Sequence, residues 1–160
     1  MKQAAVLLHN VRSAHNVGSV LRTADAAGAC GVYFSGYTPL PRDKFGRWQK
    51  DIGKTALGAE RTVEWRSVRN VPLWLQHLKK QGWRVVGVEQ DQRALDYRTL
   101  QSKGKTLFIF GNEVRGISQA LRMQCDALVE IPMHGAKESL NIAVAAGVVL
   151  FSQMTPEAER

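Results

Sequence analysis

The stretch LFIFGNEVRGI, residues 107–117, carries the strongest structural signal in this sequence. Its first four residues are all apolar, which predicts a buried strand. Gly111 and Gly116 bound the loop that follows, and glycine lets backbone N–H and C=O groups approach a ligand closely. Alone, the loop is equally well explained as a structural turn. Ligand sites in open α/β sheets lie at the carboxyl ends of the strands, where this loop would stand.

Outward from that stretch, apolar runs alternate between strand patterns and helix patterns. We predict strands over residues 4–8, 31–35, 84–89, 106–110 and 127–131. We predict helices over residues 16–27, 71–81, 117–123 and 139–154, and partly helical structure after the loop 36–44. Asn16 and Ser139 are the predicted helix caps, and Gly28 ends the first helix. The alternation predicts an α/β fold, with a mainly parallel sheet flanked by helices, in one domain spanning residues 1–160.

The composition favours a globular protein with a polyanionic partner. Apolar residues make up 44% and charged residues 22% of the chain, which is the balance of a folded domain. The formal net charge of +8 supports salt-dependent binding of phosphates, although a merely basic surface explains it equally well. Cys30 and Cys125 are expected to be free thiols. The four histidines have no spacing that converges on a metal ion, so we predict no metal site.

The longest strongly apolar stretch, residues 142–151, is about half of the roughly 20 residues that a membrane-spanning helix needs. The start of the chain lacks the apolar core and cleavage site of a signal peptide, so we expect a cytoplasmic protein without a membrane partner. The helix over this stretch is apolar around nearly its whole circumference and must be buried on more than one side. We therefore expect a homodimer through the C-terminal helix, where Gly147 would permit close approach.

Three segments place polar residues and glycines at predicted strand ends or helix starts. They are residues 16–24, 107–117 and 131–143. Alone, the first is explained as a capped helix with one surface arginine, and the third as a loop with ordinary helix caps. Another segment, residues 53–55, resembles the end of a phosphate-binding loop. Trp48 occupies its earlier glycine position, which argues against ATP binding.

Together, in this order and spacing, the three segments closely resemble the motifs of the SpoU/TrmH family of SPOUT methyltransferases, and residues 54–60 are also similar to that family. The resemblance covers nearly the whole chain. It implies the SPOUT fold, in which the C-terminal segment forms a deep trefoil knot, and a dimer through the last helix. It also implies S-adenosyl-L-methionine as the cofactor and methyl transfer to a ribose 2′-hydroxyl of tRNA or rRNA.

The resemblance also implies roles for individual residues. The implied catalytic residues are Arg22, Asn16, Glu113, Ser139 and Asn141. The implied cofactor-binding residues are Val88, Glu89, Gly111, Asn112, Gly116, Ile131, Met133 and Leu140. We expect no basic terminal extension of the kind with which larger tRNA-modifying relatives hold RNA, and we therefore expect residues 42–54 and 79–84 to form the RNA surface. The expected RNA-binding residues are Arg22, Arg42, Lys44, Arg47, Lys50 and Lys54.

Arg22 is the residue that the family's proposed mechanism uses to activate the hydroxyl. Because arginine is effectively always protonated, we expect it to position a phosphate or to stabilise a developing alkoxide instead. Ala143 stands where the family often has serine, and we expect activity to survive that change. Two alternatives stay open: a catalytically idle RNA-binding or ribosome-assembly factor with the same fold, and a methyltransferase for an RNA base or a protein.

Overall fold

A parallel β-sheet forms the centre of the computed structural model, which describes residues 2–154. Its strands are β1 (Gln3–His9), β2 (Gly31–Ser35), β3 (Trp65–Val68), β4 (Trp83–Val88), β5 (Leu95–Asp96), β6 (Lys105–Phe110) and β7 (Ala127–Glu130). The helices are α1 (Ala14–Ala27), α2 (Lys50–Ala56), α3 (Ala59–Thr62), α4 (Val71–Lys80), α5 (Gln119–Arg122) and α6 (Ile142–Met154), with a 3₁₀ turn at Tyr97–Thr99. The predicted α/β class is confirmed.

Across the described residues, the strand order is β3-β2-β1-β6-β4-β7-β5, and every neighbouring pair is parallel. Along the chain, β1, β2 and β3 lie side by side toward one edge of the sheet, and the chain then crosses to the other side to form β4. β6 follows later in sequence and occupies the central position between β1 and β4. The loop after β6 therefore stands where the strand order reverses, the usual ligand site of such sheets. The deep trefoil knot stays a prediction, because strand order and pairing do not define how the chain threads.

Side chains of the central strands alternate between two cores, one on each face of the sheet. In β1, Ala4, Val6 and Leu8 belong to the core beneath α1, α2 and α6. Ala5 and Leu7 belong to the core beneath α4 and α5. Because helices cover both faces, the strands are buried on both sides, and this is why their sequences are continuous apolar runs.

Three short elements, β3, β5 and α3, were not predicted. β3 has the sequence WRSV with only Val68 buried, and β5 has two residues. Such short strands at the sheet edges contain too few apolar residues to show a period of two. Their place in the sheet depends on pairing with β2 and β7, which are distant in sequence.

The first helix begins two residues earlier than predicted, and its cap is Ser13 rather than Asn16. The Ser13 hydroxyl accepts a hydrogen bond from the backbone N–H of Asn16 at 3.1 Å. Because Ser13 satisfies a free N–H group of the first turn, the Asn16 side chain is available for other contacts. Gly28 ends the helix as predicted, in the left-handed conformation at φ 72°.

The last helix begins at Ile142, three residues after the predicted cap, Ser139. Asn141 takes the capping role instead. Its Oδ1 accepts hydrogen bonds from the backbone N–H of Ala143 at 2.8 Å and of Val144 at 3.4 Å. The helix packs against α1 and β1 within the chain. In the part of the chain that the structure describes, no helix has the length and apolar character that a membrane crossing requires.

Helices α1 and α2 pack closely at Gly18. A Cβ atom on residue 18 would overlap the Thr55 hydroxyl and the backbone carbonyl of Ile52. The Thr55 hydroxyl also donates a hydrogen bond to the carbonyl of His15 at 2.8 Å, which ties the two helices together. This contact holds α2, and with it the basic residue Lys54, beside α1.

We expect Gly18→Ala to destabilise the protein, although alanine normally strengthens a helix. The backbone of α2 cannot yield as a flexible side chain would, so the helices must separate, and overpacking of this kind costs about 1–3 kcal/mol. Urea denaturation would measure the loss in the free energy of unfolding. Gly53→Ala is the control, because its Cβ would lie 3.5 Å from Glu60 Oε1, an ordinary contact. Equal stability of the two variants would contradict the close packing at Gly18.

Candidate active site

A cavity of about 440 Å³ opens at the carboxyl edge of the sheet. It lies between the ends of β4, β6 and β7 and the starts of α1 and α6. All three polar segments of the sequence contribute to it: the first through Asn16, the second through its glycine-bounded loop, and the third through residues 131–142. Its volume lies within the range of about 300–1,000 Å³ that is typical of sites for cofactors and other small molecules.

Apolar side chains, amides and carboxylates line the cavity. The apolar lining residues are Val88, Phe110, Val114, Ile131, Met133, Leu140, Ile142 and Ala145. The others are Asn16, Glu89, Gln90, Gly111, Asn112, Glu113, Gly116, Glu130, Ser139 and Asn141. No lysine, arginine or histidine is among the lining residues within positions 2–154. The carboxylates of Glu89, Glu113 and Glu130 favour a ligand with positive charge, and phosphate groups would find no counter-charge there.

Two backbone hydrogen bonds close the loop that follows β6. The N–H of Asn112 donates to the carbonyl of Gly116 at 3.1 Å, and the N–H of Gly116 donates to the carbonyl of Asn112 at 2.9 Å. The Asn112 Oδ1 also accepts from the N–H of Val114 and of Arg115. A Cβ atom on Gly111 would overlap the backbone of Gly116. The glycines of this segment are therefore required by close approach within the loop itself.

Glu89 supports the same loop from the end of β4. Its Oε2 accepts a hydrogen bond from the N–H of Ile117 at 2.7 Å, and its Oε1 accepts from the N–H of Gln90 at 3.0 Å. Gly116 has a φ of 66°, and a Cβ atom there would collide with this carboxylate. Each carboxylate oxygen can accept a second hydrogen bond, so Glu89 lines the cavity with further acceptor capacity.

Glu113, Asn16 and Asn141 form a continuous hydrogen-bonded chain along one wall of the cavity. The Asn16 Nδ2 donates to Glu113 Oε1 at 3.2 Å, and the Asn141 Nδ2 donates to Asn16 Oδ1 at 3.0 Å. Glu113 also accepts from the backbone N–H groups of Arg12 and Ser13, each at 3.0 Å. These bonds join the loop after β6 to the starts of α1 and α6, so the polar side chains of the three segments hold those segments together.

The surroundings of Glu113 keep its carboxylate ionised. Partial burial pushes its pKa upward, but hydrogen bonds from the N–H groups of Arg12 and Ser13 and from Asn16 act in the opposite direction. The net result is a pKa below the usual value for glutamate. An ionised carboxylate with a lowered pKa is a weak proton acceptor. The geometry therefore favours a positioning role for Glu113 over a role in proton transfer.

Arg22 lies away from this cavity, whereas the other four implied catalytic residues line it. Arg22 follows Asn16 by six residues, which moves it about 9 Å along α1 and turns it by roughly 240° around the helix axis. It lines a second cavity, of about 480 Å³, with Lys54 of α2 and Phe151 of α6. Among residues 2–154, no hydrogen bond or ion pair holds the Arg22 guanidinium. Within a single chain, the five implied catalytic residues therefore do not share one cavity.

Most of the predicted RNA-binding residues form one exposed basic surface. The loop between β2 and α2, together with α2 itself, carries Arg42, Lys44, Arg47, Lys50 and Lys54. This loop leaves the carboxyl end of β2, so the basic surface and the first cavity share one edge of the sheet. The second predicted region, residues 79–84, lies instead at the start of β4, on the opposite edge. There Lys79 forms an ion pair with Asp126 at 2.8 Å.

Some lining residues were not among the predicted set. They are Gln90, Phe110, Val114, Glu130, Ile142 and Ala145. Phe110 and Glu130 are the last residues of β6 and β7, so the rule that ligands bind at the carboxyl ends of strands would have found them. Tyr37 was also missed. Its hydroxyl accepts a hydrogen bond from Asn112 Nδ2 at 3.1 Å, and no local sequence pattern indicates this contact.

Within residues 2–154, no group of three or more histidine, cysteine, aspartate or glutamate side chains is placed to hold a metal ion.

The segment at residues 53–55, which resembles part of a phosphate-binding loop, lies inside the helix α2. It therefore does not form the loop that cradles phosphates in such motifs.

Known proteins resemble this chain in sequence. The SpoU rRNA Methylase family profile matches residues 3–151. The chain is also similar to the 23S rRNA (guanosine-2′-O-)-methyltransferase RlmB of Ralstonia nicotianae, with 38% identity over 146 residues that cover 91% of this chain and 56% of the relative. The chain thus spans about half the length of the curated relatives that it matches.

Solved structures resemble it in fold. The AdoMet-bound rRNA methyltransferase from Sinorhizobium meliloti has a TM-score of 0.83 and 30% identity, over 95% of this chain and 56% of that chain. The SpoU methyltransferase AviRb from Streptomyces viridochromogenes, in complex with AdoMet, has a TM-score of 0.82 and 29% identity, over 96% of this chain and 57% of that chain. Because the family profile spans all seven strands and all three cavity-forming segments, this chain belongs to the SpoU rRNA methylase family.

Proposed function

We propose that this protein is an S-adenosyl-L-methionine-dependent RNA methyltransferase that methylates a ribose 2′-hydroxyl of tRNA or rRNA. The observation that carries the proposal is the cavity after β6, which carboxylates, amides and apolar side chains line without a basic residue in the described chain. The names of similar proteins, a guanosine-2′-O-methyltransferase and two AdoMet-bound enzymes, support it. We assign the activity to one cytoplasmic domain of residues 1–160, of which residues 1 and 155–160 lie outside the described part.

The residues of the cavity fit S-adenosyl-L-methionine. The cofactor carries a positive sulfonium group, and Glu89, Glu113 and Glu130 place negative charge around the cavity. Apolar side chains would enclose the adenine, while backbone groups of the loop after β6 would offer it hydrogen bonds. The residues proposed to hold the cofactor are Val88, Glu89, Gly111, Asn112, Gly116, Ile131, Met133 and Leu140.

The chemistry requires alignment more than covalent help. Bound S-adenosyl-L-methionine supplies an electrophilic methyl group, so the protein must orient the ribose hydroxyl toward it. We assign this task to Ser139 and to the amides of Asn16 and Asn141, which line the same cavity. Glu113 and the first turn of α6 fix the orientation of both amides through hydrogen bonds. Alignment is thus built into the protein before the RNA binds.

A homodimer through α6 would reconcile the position of Arg22 with a catalytic role. Leu140, in the loop just before α6, and Val144, in its first turn, are 41% and 52% exposed. Covering these side chains with a second copy would bury apolar surface, which favours association. Arg22 borders α6 at the second cavity. We propose that, in a dimer packed through α6, the Arg22 of one chain serves the first cavity of the other.

Transfer of labelled methyl groups from S-adenosyl-L-methionine to total RNA tests the proposed function. We expect labelled RNA, and digestion should release the label in 2′-O-methylated nucleosides, because the cavity presents the methyl group beside groups that bind a ribose. Calorimetry with S-adenosylhomocysteine should show binding in the absence of RNA.

Two results would overturn this proposal. Label in methylated bases or in protein would identify a different methyltransferase. Affinity for RNA without any binding of S-adenosylhomocysteine would identify a catalytically idle RNA-binding or ribosome-assembly factor.

Sedimentation at micromolar concentration tests the proposed homodimer separately, and a monomer at that concentration would contradict the homodimer.

A further inference from the structure

The loop between β2 and α2 contains a closed turn that lies outside the cavity, here called the aromatic finger (residues 42–48). An antiparallel bridge between Arg42 and Trp48 closes its base. Inside that bridge, the N–H of Asp43 donates to the carbonyl of Arg47 at 2.9 Å. The finger is therefore a short hairpin, with a defined backbone, rather than an irregular connection.

The Asp43 side chain fixes the tip of the aromatic finger. Its Oδ1 accepts hydrogen bonds from the N–H of Phe45 at 2.8 Å and of Arg47 at 3.0 Å. Its Oδ2 accepts from Arg47 Nε at 2.8 Å. Gly46 supplies the left-handed conformation that the turn requires, at φ 78°. These bonds hold the backbone of Phe45 at the tip, away from the two cores of the sheet.

Phe45 presents an aromatic ring to solvent among positive charges. The residue is 69% exposed. The Lys44 Nζ and the Arg47 Cζ each lie 5.0 Å from the centre of the ring. At the base of the finger, the Arg42 Cζ lies 4.1 Å from the centre of the Trp48 ring. An exposed ring flanked by cations is the combination that single-stranded nucleic acid binds, through base stacking and phosphate contacts.

We propose that the aromatic finger binds an unpaired RNA base, which stacks on Phe45 while Lys44, Arg47 and Arg42 contact the neighbouring phosphates. This inference rests on the proposed function, because it takes RNA as the substrate. Local charge decides against the finger of a second copy as the occupant, because Lys44 and Arg47 of one finger would repel the same cations of another.

The location of the aromatic finger relates the stacked base to the methylated nucleotide. The loop begins beside the cavity, where Tyr37 is hydrogen-bonded to Asn112. The strand before it, β2, lies two strands from β6, a lateral offset of about 10 Å. The base on Phe45 is thus a neighbour of the target nucleotide and not the target itself. A regular duplex keeps its bases stacked and paired, so the finger selects RNA whose bases are exposed in loops or single strands.

Binding of single-stranded and duplex RNA of matched length tests this inference. We expect Phe45→Ala to weaken binding of the single strand by roughly tenfold to a hundredfold, the size of one base–aromatic stack, and to leave duplex binding nearly unchanged. Phe45→Trp should keep the affinity, since it keeps an aromatic face. Leu73→Ala is the matched control, because Leu73 is also exposed, at 63%, but lies on α4. It should bind both RNAs as the wild type does.

The salt dependence separates stacking from charge. Phe45→Ala should leave the slope of log affinity against log salt unchanged, whereas Lys44→Ala should reduce its magnitude by about 0.7, the value for one phosphate of a single strand. Single-strand affinity of Phe45→Ala equal to that of Leu73→Ala, or an equal loss for duplex RNA, would overturn the inference. The RNA affinity and its salt dependence are both measured without the cofactor. An absence of methyl transfer would therefore defeat the proposed function and leave the measured binding of RNA to the aromatic finger unchanged.

Discussion

Arg22→Ala is expected to lower the rate of methyl transfer to RNA by about 10²–10³-fold, the usual loss when one preorganised electrostatic group is removed from a reaction centre. Binding of S-adenosylhomocysteine should not change, because Arg22 is assigned to the RNA and is not among the residues proposed to hold the cofactor. A permanently protonated guanidinium can stabilise a developing alkoxide or hold a phosphate, and alanine can do neither. Single-turnover transfer at saturating cofactor measures the rate, and calorimetry measures the binding.

Arg66→Ala is the matched control for Arg22→Ala. Arg66 lies on the edge strand β3, its side chain is 72% exposed, and it pairs with Glu64 at 2.9 Å. Its loss should leave both the transfer rate and cofactor binding at the level of the wild type. Arg22→Lys keeps the charge but not the planar fork of donors, so we expect an intermediate rate. Equal transfer by the wild type and by Arg22→Ala would remove Arg22 from the mechanism.

Gly111→Ala is expected to weaken binding of S-adenosylhomocysteine by about tenfold to a hundredfold, which corresponds to an overpacking cost of roughly 1–3 kcal/mol. The new Cβ would overlap backbone atoms of Gly116 and the N–H of Ile117, and neither can rotate away. The loop must then open, which breaks the paired hydrogen bonds between Asn112 and Gly116. Calorimetry at a fixed temperature compares the affinities, and circular dichroism verifies that the variant is folded.

Gly53→Ala serves as the control here as well, since it adds the same methyl group to α2, outside the lining of the first cavity. It should bind S-adenosylhomocysteine with unchanged affinity. If folded Gly111→Ala also bound S-adenosylhomocysteine with unchanged affinity, the loop after β6 would not form part of the cofactor site.

A mixture of Arg22→Ala and Gly111→Ala chains adds a check on the dimer. Transfer should recover in the mixture if the Arg22 of one chain serves the cavity of the other.

The order of strands and helices around β6 could be predicted because it depends on local patterns. Apolar runs of four to six residues indicated β1, β2, β4, β6 and β7, and their ends were correct to within one residue. The caps of α1 and α6 were wrong by a few residues. A polar residue near a helix start can cap a helix that begins at any of several neighbouring residues. Ser13 rather than Asn16 is the cap of α1 because the Asn16 side chain is hydrogen-bonded to Glu113 instead.

The sequence by itself determined that three polar segments would meet at the carboxyl edge of a parallel sheet. Strand periodicity and glycine positions are local properties, and the ends of parallel strands share an edge. Only the tertiary structure decided which side chains of those segments touch. The hydrogen-bonded chain from Glu113 through Asn16 to Asn141 spans 125 positions in sequence. The helical repeat turns Arg22 away from the cavity that Asn16 enters, because six residues are not a whole number of turns.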